Sequence, residues 1–517
     1  MATPKEKFVE ALKVLKELQD NGSAAIYTDE ISNREYRRIL IANGFLKEVS
    51  KGWYILSNPS EQDGDSTSWY SSYWHFCAKF LDQKYGADWC LSADQSLLIH
   101  SGNWNVPNQL VIRTPYGNNK PTPLPYHTSL FNMKSAVPDD YLIERGIRMY
   151  GLQGTLIYCS AAGFAKNPID ARTALSLIRD ASEILPVLLD KGHSHIGGRL
   201  AGAFRNIKRD KIADQIMDTM KAAGYDVREE DPFNEKLPLN LSLRDRSPFV
   251  NRIKLMWQQM REVVINDFPE APGVPDNHLD YLKNIDEIYL TDAYHSLSIE
   301  KYKVTPELIE RVSSGQWDNI ENEEDRGQKD AMAARGYFQA FQIVKDTITK
   351  IIEGANPGMQ VDLDHQKWYR ELFDPSVAAG ILRPSDLAGY RSSQVYIGGS
   401  KHLPLGVEDM RDAMPVLFEL LEDEKDAAVR AVLGHFIFVF IHPYMDGNGR
   451  IARFLMNVML TSAGYPWTVI PVERRAAYMT VLEQASAEQN ISGFSKFIAH
   501  LVSEGVKGTP VAHLPGK

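Results

Sequence analysis

Apolar positions along this chain fall into long helical repeats over its second half and shorter, mixed runs over its first. From Ala427 to Ile441 almost every residue is apolar, which predicts a helix buried on most of its faces. After a polar break, Ile451, Phe454, Leu455 and Val458 recur at i, i+3, i+4 and i+7, so a second helix begins near Arg450. The pattern is mainly helical from Asn251 onward, interrupted by the prolines of 269–275. Within it, Ile285, Ile288, Tyr289, Ala293, Ser296 and Glu300 share one stripe of a helix over 281–300. A carboxylate on a core-facing stripe is expensive to bury without a cation, so Glu300 calls for a partner.

The first half alternates in kind. Phe8, Leu12, Leu15 and Leu18 predict a helix over 5–20. Ser32 and Glu35 have the spacing of a capping box and open a helix carrying Arg34, Arg37 and Arg38 beside Tyr36, Ile39 and Leu40. Phe45–Val49 and Trp53–Leu56 flank Ser50-Lys51-Gly52 as a β-hairpin. After a polar linker at 57–66 comes an aromatic-rich helix with Trp69, Tyr73, Trp74, Phe76 and Phe80. Short strands such as 110–112 and helices over 171–189 and 211–223 follow. Ser96 and His100, in this stretch, are read as structural. Prolines in the charged stretch 228–248 mark a domain boundary, and Val395-Tyr396-Ile397, Gly398-Gly399-Ser400 and His402-Leu403-Pro404 read as a second hairpin. The predicted fold is multidomain. A winged helix occupies 1–58, a mixed α/β domain 67–235, and a mainly α-helical domain with a β-hairpin flap 250–510.

At 517 residues the chain has room for two to four domains, and 44% hydrophobic with 24% charged residues is an ordinary globular balance. A net charge of −10 disfavours bulk nonspecific nucleic-acid binding while leaving a local basic face open. That face would be Arg34, Arg37 and Arg38, entering a DNA groove or serving a protein-interaction module. Cys77, Cys90 and Cys159 are too few and scattered for a disulfide framework or a Cys-rich zinc site, and are expected as buried thiols. No apolar run reaches membrane-spanning length and the N-terminus lacks a secretory hydrophobic segment, so no membrane partner and a cytoplasmic location are expected.

The chemistry concentrates between the two apolar helices, at His442-Pro-Tyr-Met-Asp-Gly-Asn-Gly-Arg-Ile-Ala-Arg453. Gly447 and Gly449 allow successive N–H groups to face one concavity, and the following helix adds its positive end. Arg450 and Arg453 add full charges, completing a phosphate cradle. Asp446 would repel a bare phosphate, so its natural partner is a Mg²⁺ carried by the phosphates. His442, ending the first helix at the cradle's edge, has the imidazole to take a proton from an attacking hydroxyl. A base, a metal carboxylate, an anion nest and two arginines are the parts of phosphoryl or nucleotidyl transfer.

These residues resemble the Fic (filamentation induced by cAMP) signature, His-Pro-Phe-x-(Asp/Glu)-Gly-Asn-Gly-Arg-x-x-Arg, with Tyr444 in place of Phe. The likeness extends through Asn457 and Ala463–Pro466, and upstream to Gln394–Gly398 and His402. It implies transfer of AMP from ATP to a Ser, Thr or Tyr hydroxyl of a target protein, with Mg²⁺ at Asp446 and His442 as base. It places the nucleotide against Asp446, Gly447, Asn448, Gly449, Arg450 and Arg453, with Ile397 and Gly398 close by. Tyr478 and Leu482 share a helix face suited either to walling the adenine or to core packing. The 395–404 hairpin would dock the target, although Pro404-Leu405 replaces the usual Pro-Pro. Ser296-x-x-x-Glu300 resembles the family's inhibitory motif, with Lys301 in place of Gly or Asn, and implies that Glu300 pairs with Arg453. Residues 92–97 and 197–202 weakly resemble AbiEi-type antitoxins. Three readings follow: an autoinhibited protein adenylyltransferase, with self-modification an open outcome; a de-AMPylating enzyme; and a DNA-binding, antitoxin-like regulator fused to its own toxin domain.

Overall fold

The computed structural model describes residues 3–62, 64–190, 193–233, 247–315 and 329–515. Its contacts gather into two units, Met1–Arg252 with Tyr396–Leu403, and Ile253–Val395 with Pro404–Lys517. Most of the proline-marked 228–248 stretch, including Leu237-Pro238, lies outside the described residues. No helix among the described residues is long and apolar enough to cross a membrane.

The first unit begins with helices Pro4–Asp20 and Arg34–Ala42 and the antiparallel strands β1 (Ala25–Tyr27), β2 (Leu46–Ser50) and β3 (Trp53–Leu56), ordered β1-β3-β2. The hairpin lies where the alternating pattern puts it, with a register shift between Glu48 and Ser50. The cap is one residue later than the sequence suggested. Asn33, not Ser32, accepts from the Glu35 N–H at 3.0 Å. Two of the three arginines expected on a basic face are engaged locally. Arg37 donates to the carbonyls of Thr28 (2.9 Å) and Ile31, and Arg38 pairs with Glu35 at 3.0 Å.

Strand alternation splits the apolar side chains of this sheet between two cores. Ile26, Leu46 and Tyr54 pack with Ala11, Leu15 and Leu40 of the two helices. Ala25, Trp53 and Ile55 pack instead with Trp69, Tyr73 and Phe76 from helix Thr67–Tyr85. Trp53 meets Phe76 edge-on at 5.7 Å. Because both faces are buried, residues 1–58 and the aromatic helix share one core and fall in one unit.

The four-stranded sheet of this unit is formed by β4 (Cys90–Leu91), β5 (Gln109–Thr114), β6 (Pro121–Pro123) and β7 (Ser129–Lys134), in the order β4-β5-β7-β6. Only β5 and β7 run parallel. The helix expected over 171–189 is broken into Pro168–Ser176, a 3-10 turn at Ala181–Glu183 and Leu185–Asp190. Asp180 accepts from the Ser182 N–H at 2.8 Å, and Pro186 has no N–H to continue a helix from upstream. The stretch 395–404 carries no strand ladder. Its tip is a turn with Ser400 N–H on the Ile397 carbonyl (3.1 Å) and Gly399 at φ 72°. Within the first unit, Gly399 N–H reaches Thr67 Oγ1 at 2.9 Å and Val106 N–H reaches the Lys401 carbonyl at 2.9 Å. The three cysteines are buried free thiols, and burial pushes those of Cys77 and Cys90 up to about 12.

The second unit is helical. Its described helices include Pro248–Asp267 (from Ile253 on), His278–Ile299, Lys329–Ile352, Pro357–Ala378, Val407–Asp423, Ala427–Ile441, Asn448–Thr461, Arg475–Glu488 and Ser492–Val506. Ala427–Ile441 is buried along nearly its whole length, as its uniform apolarity predicts.

The glycines at 198 and 202 have a steric reason. A Cβ on Gly198 would stand 1.9 Å from the Arg228 carbonyl, and one on Gly202 would stand 2.2 Å from that of Glu230. The chain at 228–231 thus runs against the helix Ser194–Asn206, with Glu230 N–H on the Gly198 carbonyl at 3.1 Å. Gly198→Ala is expected to destabilise the first unit by about 1–3 kcal/mol, the usual range for overpacking, as measured by denaturant unfolding.

Candidate active site

Two helix ends and the turn between them build the site. Asp426 caps Ala427–Ile441 by accepting from Val429 N–H at 3.0 Å, and the helix stops at His442, whose backbone is left-handed (φ 56°, ψ 60°). Gly447, also left-handed at φ 81°, begins Asn448–Thr461. Between them Tyr444 is fully buried and stacks on Tyr369 at 3.8 Å and 6°. Tyr444 thus wedges the turn into the helical core. Asn448 uses its side chain as a staple: Oδ1 accepts from Tyr444 N–H at 2.9 Å and Nδ2 donates to the Tyr444 carbonyl at 2.8 Å. Its amide is spent inside the turn, so its role in the geometry is to shape that turn.

His442 is partly buried, with Nδ1 3.2 Å from the Val439 carbonyl. A carbonyl can only accept, so Nδ1 carries the proton and Nε2 keeps its lone pair. Burial, opposed by that hydrogen bond, pushes the imidazole down to about 4, so it is neutral at ordinary pH. Asp446 is two-thirds exposed and accepts from Gly447 N–H at 2.6 Å. Among the described residues no cluster of three or more metal-ligating side chains occurs. One exposed carboxylate at a phosphate nest suits a Mg²⁺ that arrives with phosphates and keeps its waters.

The two arginines are placed differently. Arg450 is 1% exposed and lies over the rings of Phe373 (4.9 Å) and Tyr302 (5.3 Å), 3.6 Å from Asp446. A cavity of about 810 Å³ opens beside it, lined also by Tyr369, Arg391 and Asp446. Arg453 is 3% exposed and reaches helix His278–Ile299. Its Nε donates to Ser296 Oγ (2.9 Å), and its Nη2 donates to the Ser296 carbonyl (3.1 Å) and Glu300 Oε1 (2.9 Å). Its Nη1 has no partner among the described residues. Burial works against the Glu300 carboxylate, but the charges of Arg453 and Arg450 outweigh it and hold the carboxyl below its usual range. A Cβ on Gly449 would stand 2.6 Å from Glu300 Oε1, so the carboxylate lies over the nest itself.

The structure therefore brings together His442, Asp446, Gly447, Asn448, Gly449, Arg450, Arg453, Ser296 and Glu300. Ile397 and Gly398 belong to the turn grouped with the first unit. Tyr478 is 1% exposed, its hydroxyl 2.9 Å from His435 Nε2 and its ring near Phe494, and it also senses the charges of Arg453 and Glu300. Residues that the sequence did not single out also matter. Arg475 Nε holds the Ile299 carbonyl at 2.6 Å, and Tyr337 donates to the buried Asp292 at 2.6 Å, one turn before Ser296. Asp292 could have been noticed as a second carboxylate on the inward face of that helix; Arg475 carried no signal.

Comparison with known proteins points the same way. Residues 364–460 match the model of the Fic/DOC family. The chain is 27% identical over 284 residues to "Protein adenylyltransferase Fic" of Nematostella vectensis, covering 53% of this chain and 62% of that protein. It is 39% identical over 124 residues to the protein of the same name from Drosophila willistoni, covering 23% and 24%. These alignments span less than two thirds of the relatives' own lengths. A solved Fic-1 fragment from C. elegans aligns with 66% of this chain and 98% of its own at 20% identity, but a TM-score of 0.37 is too loose a likeness to carry an argument. The family match ends just past the motif built above, so the likeness to the Fic/DOC family is a likeness of the 364–460 segment.

Proposed function

We propose that this protein transfers AMP from ATP to a hydroxyl of a protein and is held in check by Glu300. The observation that carries the proposal is the position of a neutral imidazole beside a helix-terminal anion nest whose second arginine is occupied by a carboxylate. The relatives' shared name, protein adenylyltransferase, supports the same reaction. In the mechanism, His442 Nε2 takes the hydroxyl proton as the oxygen attacks the α-phosphorus, and the bond from that phosphorus to the bridging oxygen breaks to release pyrophosphate. The Gly447–Arg450 backbone cradles the phosphate, and Arg450 and Arg453 balance the charge of the leaving group. Asp446 would hold Mg²⁺, which when bound neutralises phosphate charge. Most of the acceleration comes from alignment.

Glu300 interferes with that alignment by occupying the guanidinium meant for the terminal phosphate. Replacing Glu300 with Gly is expected to raise transfer, including onto the protein itself, by at least about tenfold, or ~1.4 kcal/mol of barrier. Glu300→Gln should activate partly and Ser296→Ala less, measured as incorporation of labelled AMP. Unchanged transfer by Glu300→Gly beside an active wild type would remove Glu300 from this role. Because Glu300 also faces the nest, it is placed to orient water toward AMP on a modified protein. If Glu300→Gly instead loses the ability to strip AMP from such a protein, removal is the reaction.

His442→Ala is expected to reduce transfer by about 10²–10⁴-fold while ATP binding persists, because the nest is untouched. The acid limb of kcat/KM offers a second check. A base must be neutral to act, and the His442 imidazole loses its proton at about 4, so the rate should rise with pH through that region. It should already be level across pH 6–7. An acid limb centred on the ordinary histidine value near 6.5 would contradict the burial assigned to His442.

A further inference from the structure

A side chain outside the signature motif donates to the His442 carbonyl. The left-handed backbone at His442 is uncommon for a residue with a Cβ and persists only where neighbouring groups enforce it. Arg391, 2% exposed, supplies that enforcement from the loop after helix Pro357–Ala378. Its Nε donates to the His442 carbonyl at 2.8 Å, and its own N–H donates to the Pro443 carbonyl at 2.9 Å. Nη1 donates to the Ser393 carbonyl at 2.9 Å, and Nη2 to that of Leu405. Ser393 and Leu405 stand on the two sides of the 396–403 turn. One guanidinium thus binds the base's peptide and both stems of the turn. Its neighbour Tyr390 is anchored in turn, with its hydroxyl 2.9 Å from His365 Nε2.

We infer that Arg391 is a positioning residue for the proposed transfer, fixing His442 and coupling it to both stems of the 396–403 turn. This rests on the AMP-transfer reading given above. The planar fork of an arginine suits the task, because three carbonyls around one plane match its N–H directions, whereas an ammonium on a flexible stem cannot span them at once. Its charge acts in the same direction as the geometry. Beside His442 it disfavours the imidazolium, while Glu300 and Asp446 favour it. Movement of either stem therefore reaches the base through a single side chain.

The test combines kinetics with a direct view of the histidine. In a Glu300→Gly background, Arg391→Met should lower the saturating rate of self-labelling from labelled ATP by about 100-fold, while the KM for ATP changes less than about threefold. Arg391→Lys should recover part of the loss. In the otherwise unaltered protein labelled with ¹³C at histidine Cε1, Arg391→Met should shift the His442 resonance, assigned with His442→Ala, and raise its titration midpoint. The buried His435 resonance should stay put. An unchanged rate and His442 resonance in a folded Arg391→Met protein would overturn the inference. So would loss of cooperative unfolding in both Arg391→Met and Arg391→Lys, which would make Arg391 a general core residue. If Glu300→Gly protein shows no transfer but Arg391→Met still shifts His442, the transfer reading fails and the positioning role stands.

Discussion

The active region of this protein depends on where the charge of Arg453 goes. A guanidinium only 3% exposed between core helices is costly unless its charge and its N–H groups are met, and breaking such a pair typically costs about 3–5 kcal/mol. The helix His278–Ile299 meets both needs, through the hydroxyl and carbonyl of Ser296 and the carboxylate of Glu300. The same contact that stabilises the helix packing therefore occupies a guanidinium beside the glycine turn. In the proposed reaction, packing and inhibition would be one interaction. The end of the helix is held as well, because Arg475 takes the Ile299 carbonyl just before Glu300.

Around that pair, the turn from His442 to Gly447 is shaped by packing more than by its own preferences. Left-handed backbone at a non-glycine residue costs on the order of 1–3 kcal/mol. Tyr444 stacked on Tyr369, and Asn448 bonded to both polar groups of the Tyr444 backbone, offset that cost by anchoring the middle of the turn. Glycine is required at 447 for two reasons that coincide: φ is positive, and a Cβ would meet the Phe373 ring at 2.9 Å. The rigid turn then presents a neutral imidazole, an exposed carboxylate and a row of N–H groups on one rim.

In the first unit, two arginines of the basic pattern make local contacts. Arg34, Arg37 and Arg38 look alike along the helix, yet Arg37 satisfies the carbonyls of Thr28 and Ile31 and Arg38 is paired with Glu35. What dominates this unit is aromatic packing beneath a small sheet buried on both faces.

The sequence by itself determined the parts whose cause is local. The buried helix Ala427–Ile441, the glycine turn before Asn448, the second helix and the β2–β3 hairpin all follow from periodicity, glycine placement and strand alternation. The pairing of Glu300 with Arg453 was legible because a carboxylate on an apolar stripe requires a cation, although the resemblance was needed to say which one. Local cues failed where one neighbour overrode them, as Asn33 did for Ser32 and the Asp180 turn with Pro186 did for the 171–189 helix. Only the tertiary structure decided that Asn448 staples its own turn, that Tyr478 is buried and that 395–404 lacks a ladder. It alone revealed Arg391. Periodicity reports which face of an element is buried; the carbonyls that Arg391 joins lie on three separated stretches of chain, and no spacing rule connects groups that meet only after the chain has closed.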